Sequence, residues 1–344
     1  MTEYLVKWKG YNNRHNTWQT METLENSKSL VTEFEQTHTA LALMNDAGPA
    51  RHLLQPEEEV DRQAAVIFGP NNTDAVTAVR RLMNRQGLAG EVTEYLPGYC
   101  NEIKNILRRR MVLLNDEQTA QVKELHSIGR LRMMLELKRD MRKKGRLICQ
   151  GFREPLEWDI GSNFSPVTYL ASVRTLMFAN GPKTDVISIN DVSVAFLQAM
   201  GFAEGDERYV AYKAFREGKE HVFRLHGPLY GQRCASRSWY ETVSAWLESE
   251  GYIRQKNEPC LFVNDKGFKV VIWVDDVLCR GSPEETDIFH KKLQEKFECR
   301  SESMQVLTPD NPLDYVALNL TMEVEQSGAV RYNIDQTEGM LHSW

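Results

Sequence analysis

The stretch Val270-Val271-Ile272-Trp273-Val274-Asp275-Asp276-Val277-Leu278-Cys279 sets two adjacent carboxylates between two apolar runs. Such runs read as strands, so Asp275 and Asp276 are expected at the turn of a hairpin whose arms are buried. Desolvating like charges there costs several kcal/mol per ion unless positive charge compensates, and a divalent cation is the compact way to supply it. An exposed Asp-Asp turn accounts for the pair taken alone. A further acid weighs against that reading: Ile187-Ser188-Ile189-Asn190-Asp191-Val192 alternates as a strand and ends in Asp191, with a helix expected from Ser193 to Ala199. Three aspartates from two strand ends suit two Mg2+ ions about 3.5 to 4 Å apart, an arrangement that activates a hydroxyl and stabilises a leaving pyrophosphate. Hard oxygen ligands favour Mg2+, which prefers one or two carboxylates plus substrate phosphates.

The elements that must hold these acids are legible in outline. Strands are expected at Arg146 to Cys149, Val186 to Ile189, Tyr209 to Ala211 and Val222 to Leu225, with the last clear hairpin beginning at Val270. Helices are expected at about Leu170 to Ala179, Val192 to Ala199 and Arg237 to Ser249, and the mixture implies an α+β fold. Upstream, residues 37–100 read as a partly helical connector with apolar-periodic pieces at Val60 to Phe68 and Asp74 to Met83, broken at Gly69-Pro70 and again at Pro97-Gly98. Between Asn101 and Arg153, 14 Lys/Arg face 6 Asp/Glu. Leu125, Ile128, Leu131, Leu135 and Met141 leave an apolar stripe there, predicting a long helix whose basic face is solvated, or lies along phosphates if a polymer site is near. The first 36 residues predict a β-hairpin, Tyr4 to Trp8 returning through Asn16-Thr17-Trp18, then a short helix from about Ser27 to Phe34.

Composition narrows the class. With 42% hydrophobic and 26% charged residues in 344, the chain is an ordinary globular one, long enough for two or three units. A net charge of −6 excludes a global positive field, so any nucleic-acid site must be local. The six cysteines form no CxxC and none stands at zinc-ligand spacing from a histidine, so reduced thiols in the cytoplasm or nucleus are expected and a structural zinc is not. No basic leader and no apolar run of about 18 residues occurs, so neither a secretory signal nor a membrane span is expected.

From about Leu131 to Gln336 the chain resembles the reverse transcriptase of Ty1/copia-type retrotransposons, through ordered blocks. These are Arg146-Leu147-Ile148-Cys149-Gln150-Gly151-Phe152, Asn163-Phe164-Ser165-Pro166-Val167, Asp191 to Leu197, Leu229-Tyr230-Gly231 through Arg237 with Trp239-Tyr240, and Trp273-Val274-Asp275-Asp276 in place of Tyr-Val-Asp-Asp. The resemblance implies a right-hand polymerase palm and fingers over residues 101–344, with a truncated thumb and no RNase H or integrase core before Trp344. It makes Asp191, Asp275 and Asp276 the catalytic residues and ligands of two Mg2+ ions. Arg146 would hold the incoming triphosphate, Phe196 would exclude a ribose 2′-hydroxyl, and Cys234, Arg233 and Arg237 would lie along nucleotide or template. A core role for Phe196 and plain surface roles for the two arginines are the alternatives. Gln150 and Ser193 stand where the family usually has lysine and Cys234 where it has glutamine, departures that would weaken nucleotide binding, and Tyr315-Val316-Ala317 lacks the glycine of the family's Phe-Leu-Gly.

Glu3 to Tyr11 followed by Asn16-Thr17-Trp18 resembles a chromodomain over residues 1–36. Trp8 and Tyr11 would be two walls of a methyl-lysine cage, where cation–π attraction contributes about 0.5 to 2 kcal/mol. The third wall would come from a strand preceding residue 1. The order of the segments suits an internal slice of a retrotransposon polyprotein. The expected function is RNA-directed DNA polymerase by two-metal phosphoryl transfer, acting on an RNA or DNA template-primer and deoxynucleotide triphosphates, with activity weakened or lost in this copy. The alternative is a non-catalytic chromatin-binding remnant that holds a histone tail.

Overall fold

The computed structural model describes residues 3–6, 17–20, 23–24, 27–28, 54–138, 141–158, 163–178, 184–203, 205–300, 304–327 and 329–336. The chain divides into two compact units, Met1–Gly48 and Pro49–Trp344. In the first, β1 (Glu3–Val6) pairs antiparallel with β2 (Thr17–Thr20), the hairpin expected from the alternation. Trp8, Tyr11 and all but two residues of the expected helix from Ser27 to Phe34 lie outside the described residues.

The second unit is α+β. Helices α1 (Glu57–Phe68), α2 (Thr73–Gln86) and α3 (Val92–Arg109) come first, so the described part of the expected connector, from residue 54 on, is helical and packs within this unit, and residues 37–53 lie outside the described residues. α2 stops at Gly87 in the left-handed conformation, and α3 starts with a reciprocal Glu91/Glu94 capping box. Pro97-Gly98, expected to break the chain, lies inside α3. The reason is tertiary. A Cβ on Gly98 would meet the Lys143 carbonyl oxygen at 2.7 Å, and one on Gly145 would meet the Gly98 carbonyl oxygen at 2.6 Å, so two backbones touch where neither can carry a side chain.

The three helices cover one face of a five-stranded sheet in the order β3 (Met111–Leu113), β8 (Glu220–Leu225), β7 (Arg208–Lys213), β4 (Ile128–Leu137) and β5 (Lys143–Cys149). Helix α4 (Asp116–Leu125) precedes β4, and its Val122 packs with Tyr209, Ala211 and Val222. The long basic helix expected between residues 101 and 153 is therefore corrected to helix, strand, helix and a two-stranded ladder. Leu131, Met133 and Leu135 are buried while Arg130 and Arg132 are exposed, a period of two. A spacing of four, as between Leu131 and Leu135, satisfies both a helix and a strand. The stripe's outer members Leu125 and Met141 are exposed.

The second sheet has six strands in the order β13 (Gln305–Val306), β6 (Val186–Asp191), β12 (Asp276–Gly281), β11 (Lys269–Trp273), β10 (Glu258–Val263) and β9 (Ile253–Gln255). One face packs against α6 (Ala235–Ser249) and α7 (Pro283–Lys296) through Trp239, Trp246, Phe289 and Phe297. The other meets α5 (Leu170–Phe178) and a three-stranded sheet of β14 (Leu313–Tyr315), β15 (Leu318–Val324) and β16 (Val330–Asp335). Both faces are covered, which is why β11 carries a near-continuous apolar run, Val270 to Trp273, and β12 the run Val277 to Cys279. The helix expected at Val192 to Ala199 is only a short 3-10 turn, Ala195–Gln198. Among the described residues no helix is long and apolar enough to cross a membrane.

Candidate active site

The acids come together at one end of the six-stranded sheet. β11 and β12 form a hairpin in which Trp273 pairs with Asp276, leaving Val274 and Asp275 as the turn. β12 then pairs with β6 so that Asp276 lies directly opposite Asp191. Opposed residues of an antiparallel pair share a face with Cβ atoms about 4.5 to 5.5 Å apart, and like charges there repel. The Asp275 carbonyl also accepts from the Val192 backbone N–H at 2.9 Å, tying the turn to the segment that leaves β6.

Two β-branched residues sit in the left-handed region at this end, Val274 at φ 53° and Val194 at φ 45°. Such conformations cost about 1 to 3 kcal/mol each and persist only where the surroundings impose them. The restraint on Val274 is visible: its carbonyl accepts a 2.6 Å hydrogen bond from the Trp239 indole N–H, and Trp239 is itself buried among α6 and α7.

Charge at this end is undercompensated. Burial pushes the Asp276 carboxyl up to about 7, the charges of Asp275 and Asp191 adding to the rise and Arg300 opposing it. Asp191 is likewise raised by burial, against Arg300, whose guanidinium lies 3.2 Å from Asp191 Oδ2. The other oxygen, Asp191 Oδ1, is buried without a hydrogen-bond partner. Hard carboxylate donors, one of them an orphaned acceptor, fit a divalent metal ion. Among the described residues no three His, Cys, Asp or Glu side chains converge as a ready-made ligand set, so the fit lies in donor chemistry and placement.

Around the acids, Arg146 on β5 lies over the Tyr230 ring at 5.6 Å, and Phe196 meets the same ring edge-on at 5.7 Å. Tyr230 feels the charges of both Arg146 and Asp275, so this stack borders the acids. The remaining expected site residues have partners of their own. Arg233 donates through Nε to Glu154 Oε2 at 2.7 Å, and its backbone N–H reaches Glu154 Oε1 at 3.1 Å. Arg237 pairs with Glu241 and donates to the Phe164 carbonyl at 3.2 Å. Cys234 is buried, with its sulfur 3.7 Å from Arg208 Nη1, and burial raises its thiol pKa. Arg300 and Trp239 are additions the sequence did not mark as contacts of the acid turn. Arg300 arrives through a bridge between Val192 and Cys299, for which no local pattern exists.

Residues 122–308, more than half of the chain, match the family model described as reverse transcriptase (RNA-dependent DNA polymerase). Residues 1–37 match that of the chromo (chromatin organisation modifier) domain. Among curated relatives, the retrovirus-related Pol polyprotein from transposon TNT 1-94 of Nicotiana tabacum is 28% identical over 199 residues, 53% of this chain and 14% of that protein. The corresponding polyprotein from transposon RE2 of Arabidopsis thaliana is 29% identical over 147 residues, 41% of this chain and 10% of that protein. The chain thus spans a small part of these relatives' length. Solved structures similar to it include telomerase from Candida albicans with a fragment of telomeric RNA, at a TM-score of 0.38 and 11% identity, covering 70% of this chain and 50% of that one. Apo telomerase from Candida tropicalis gives a TM-score of 0.39 and 11% identity, covering 78% and 67%. On the family match, which takes in Asp191, Asp275 and Asp276 together with the Arg146 and Phe196 stack, the chain belongs to the reverse transcriptase (RNA-dependent DNA polymerase) family.

Proposed function

We propose that this chain is the RNA-directed DNA polymerase portion of a copia-type retrotransposon polyprotein, an intracellular protein that extends a primer on an RNA or DNA template. The observation that carries the reading is the cross-strand placement of Asp276 opposite Asp191 with Asp275 in the adjoining turn, beside a buried carboxylate oxygen that has no partner. In this reading the six-stranded sheet with α6 and α7 is the palm, and the five-stranded sheet with its helices belongs to the fingers. Residues 1–36 are a chromodomain-like segment, residues 37–100 a partly helical connector and residues 101–344 the polymerase.

Asp191, Asp275 and Asp276 would hold two Mg2+ ions, which when bound neutralise charge at the attacking 3′-oxygen and the leaving pyrophosphate. The protein's own part is positioning. The β6–β12 ladder fixes Asp276 against Asp191, and the Trp239 bond to Val274 holds the turn. Arg146, braced on Tyr230, would take a phosphate of the incoming deoxynucleotide triphosphate, and Phe196 on the same ring would face its sugar. Arg233, Arg237 and Cys234 border this nucleotide path, but their present partners leave them a supporting role.

Primer extension by the purified chain on a primed RNA template with Mg2+ and deoxynucleotides, run beside Asp275→Asn, tests the reading. Extension that the substitution abolishes is expected, and no extension from a folded chain would sink it. The chromo match over residues 1–37 favours a second role, tethering to a methylated histone tail through Trp8 and Tyr11. A trimethyl-lysine histone peptide that binds the wild type no better than Trp8→Ala would remove that role.

A further inference from the structure

Two successive arginines at the end of α3 reach the segment that carries Phe196. Arg109 Nη2 donates to Glu298 Oε2 at 2.6 Å, and Glu298 holds that segment through its backbone. Its carbonyl accepts from the Ser193 N–H at 2.8 Å and from Gln198 Nε2 at 3.0 Å, and its N–H donates to Gln198 Oε1 at 2.7 Å. Arg110 is the odder of the two. It is 1% exposed, its Nη2 donates to the Ala199 carbonyl, and its Nε and Nη1 are buried without a hydrogen-bond partner. Burial and the neighbouring Arg109 bring its pKa down to about 10, and among the described residues no carboxylate pairs with it. A buried charge without a counterion costs stability, and an apolar side chain of similar volume would fill the space at least as well.

What the guanidinium does is span two segments. On one side it holds Ala199, three residues after Phe196. On the other it lies against Gly227, three residues before Tyr230: a Cβ on Gly227 would run into Arg110 Nη1 and stand 2.8 Å from Cζ. The Arg110 carbonyl also accepts from the His226 N–H at 2.9 Å. Phe196 and Tyr230 are the two rings that meet edge-on. Leu197 belongs to the core under the three helices, and Ala195 and Ala199 to that under the six-stranded sheet, so Phe196 rides on a seam between two cores. We propose that Arg110, seconded by Arg109, is a positioning residue that fixes Phe196 against Tyr230 and so sets how strictly the polymerase excludes a ribose 2′-hydroxyl. This role rests on the polymerase reading, in which Phe196 faces the sugar. It adds a control exerted from α3, outside the residues 122–308 that match the family. A steric barrier works only while its ring cannot retreat, and a misplacement of about 1 Å can change a rate ~10²-fold.

Single-nucleotide primer extension by the full chain with Mg2+, using dCTP and CTP in turn, gives the ratio of their kcat/KM values and tests the role. Phe196→Ala is expected to lower that ratio about 10- to 200-fold, the range that one lost steric contact spans, and Arg110→Met about 10-fold. The double variant should lose no more than Phe196→Ala alone, since Arg110 acts through that ring. Gly227→Ala pushes the guanidinium aside without removing it, and should reproduce part of the Arg110→Met loss even if that variant does not fold. An arginine with a purely structural role lowers the use of both nucleotides alike and leaves the ratio unmoved. A ratio within about twofold of wild type in the folded Arg110 and Gly227 variants, or losses that add to that of Phe196→Ala, overturns the proposal. A wild type that incorporates neither nucleotide brings down the polymerase reading and this role with it. One whose ratio Phe196→Ala leaves unchanged refutes the placing of Phe196 at the sugar, a result distinct from a silent Arg110.

Discussion

Among the described residues carboxylates are buried at the five-stranded sheet and half-buried at the end of the six-stranded one, and the two regions treat them differently. At the five-stranded sheet, Glu154, whose side chain is fully buried, is met by the guanidinium and the backbone N–H of Arg233, and Glu102 accepts from the Leu147 N–H at 2.9 Å. At the six-stranded sheet, Asp276 faces Asp191 across a ladder, burial holds its carboxyl up at about 7, and Asp191 Oδ1 has no partner. Structure alone accounts for the first pair, since each acid there satisfies a donor the fold needs. The second pair costs stability and leaves acceptor capacity open, as expected of groups that await a cation.

The contrast is sharpest in activity. Asp191→Asn should lower primer extension about 10²- to 10³-fold, since several kcal/mol of charge stabilisation depend on it, whereas Glu102→Gln should leave extension by the folded fraction unchanged. Rates on both variants check this, and equal losses would erase the distinction. The next largest effect falls on stability at the satisfied acid. Arg233→Ala strands Glu154 with only a backbone donor, and urea unfolding should show a loss of about 2 to 3 kcal/mol.

The unsatisfied pair should show the opposite response. An acid whose folded pKa is raised holds its proton longer in the folded state than in the unfolded chain, so the contribution of Asp276 to native stability falls as pH rises from about 4 to about 7 and is level above. Asp276→Asn should remove that contribution and be more stable than wild type at pH 8 by roughly 1 to 3 kcal/mol, the lower figure allowing for coupling among the three acids. Mg2+ at pH 8 should raise the wild-type Tm and leave that of the variant nearly unchanged. A stability difference between wild type and variant that does not change between pH 4 and 8 would contradict the partial burial of this charge.

Backbone strain offers the smallest and most local comparison. The turn joining β14 to β15 places Val316 at φ 50° and Ala317 at φ 60°, the left-handed conformations that glycine accepts freely. Ala317→Gly should raise stability by about 0.5 to 1 kcal/mol, relief of the left-handed strain exceeding the added chain entropy. Val274→Gly relieves the same kind of strain beside the aspartates, and there it should reduce extension. Equal, silent outcomes at both turns would remove any functional meaning from the strain at Val274.

Local features follow from local residue order. Asp275-Asp276 between two apolar runs points to a hairpin with acids at its end, where the structure puts Asp275 in the turn and Asp276 at the start of β12, and alternation from Ile187 to Asp191 points to a strand with an acid at its end. The absence of glycine at Val316-Ala317 is plain in the residues themselves, and the structure adds that they keep the left-handed turn without it. The pairings belong to the folded chain. That Asp276 lies opposite Asp191, that Arg300 reaches Asp191 and that Arg146 and Phe196 share the Tyr230 ring each depend on strand register and sheet order. Periodicity says which face of an element is apolar but not which element covers it, and over a short run such as Ile128 to Leu137 it does not separate a strand from a helix. The same limit hid Pro97-Gly98 within α3, where contact with Gly145, a residue distant in the chain, makes glycine necessary.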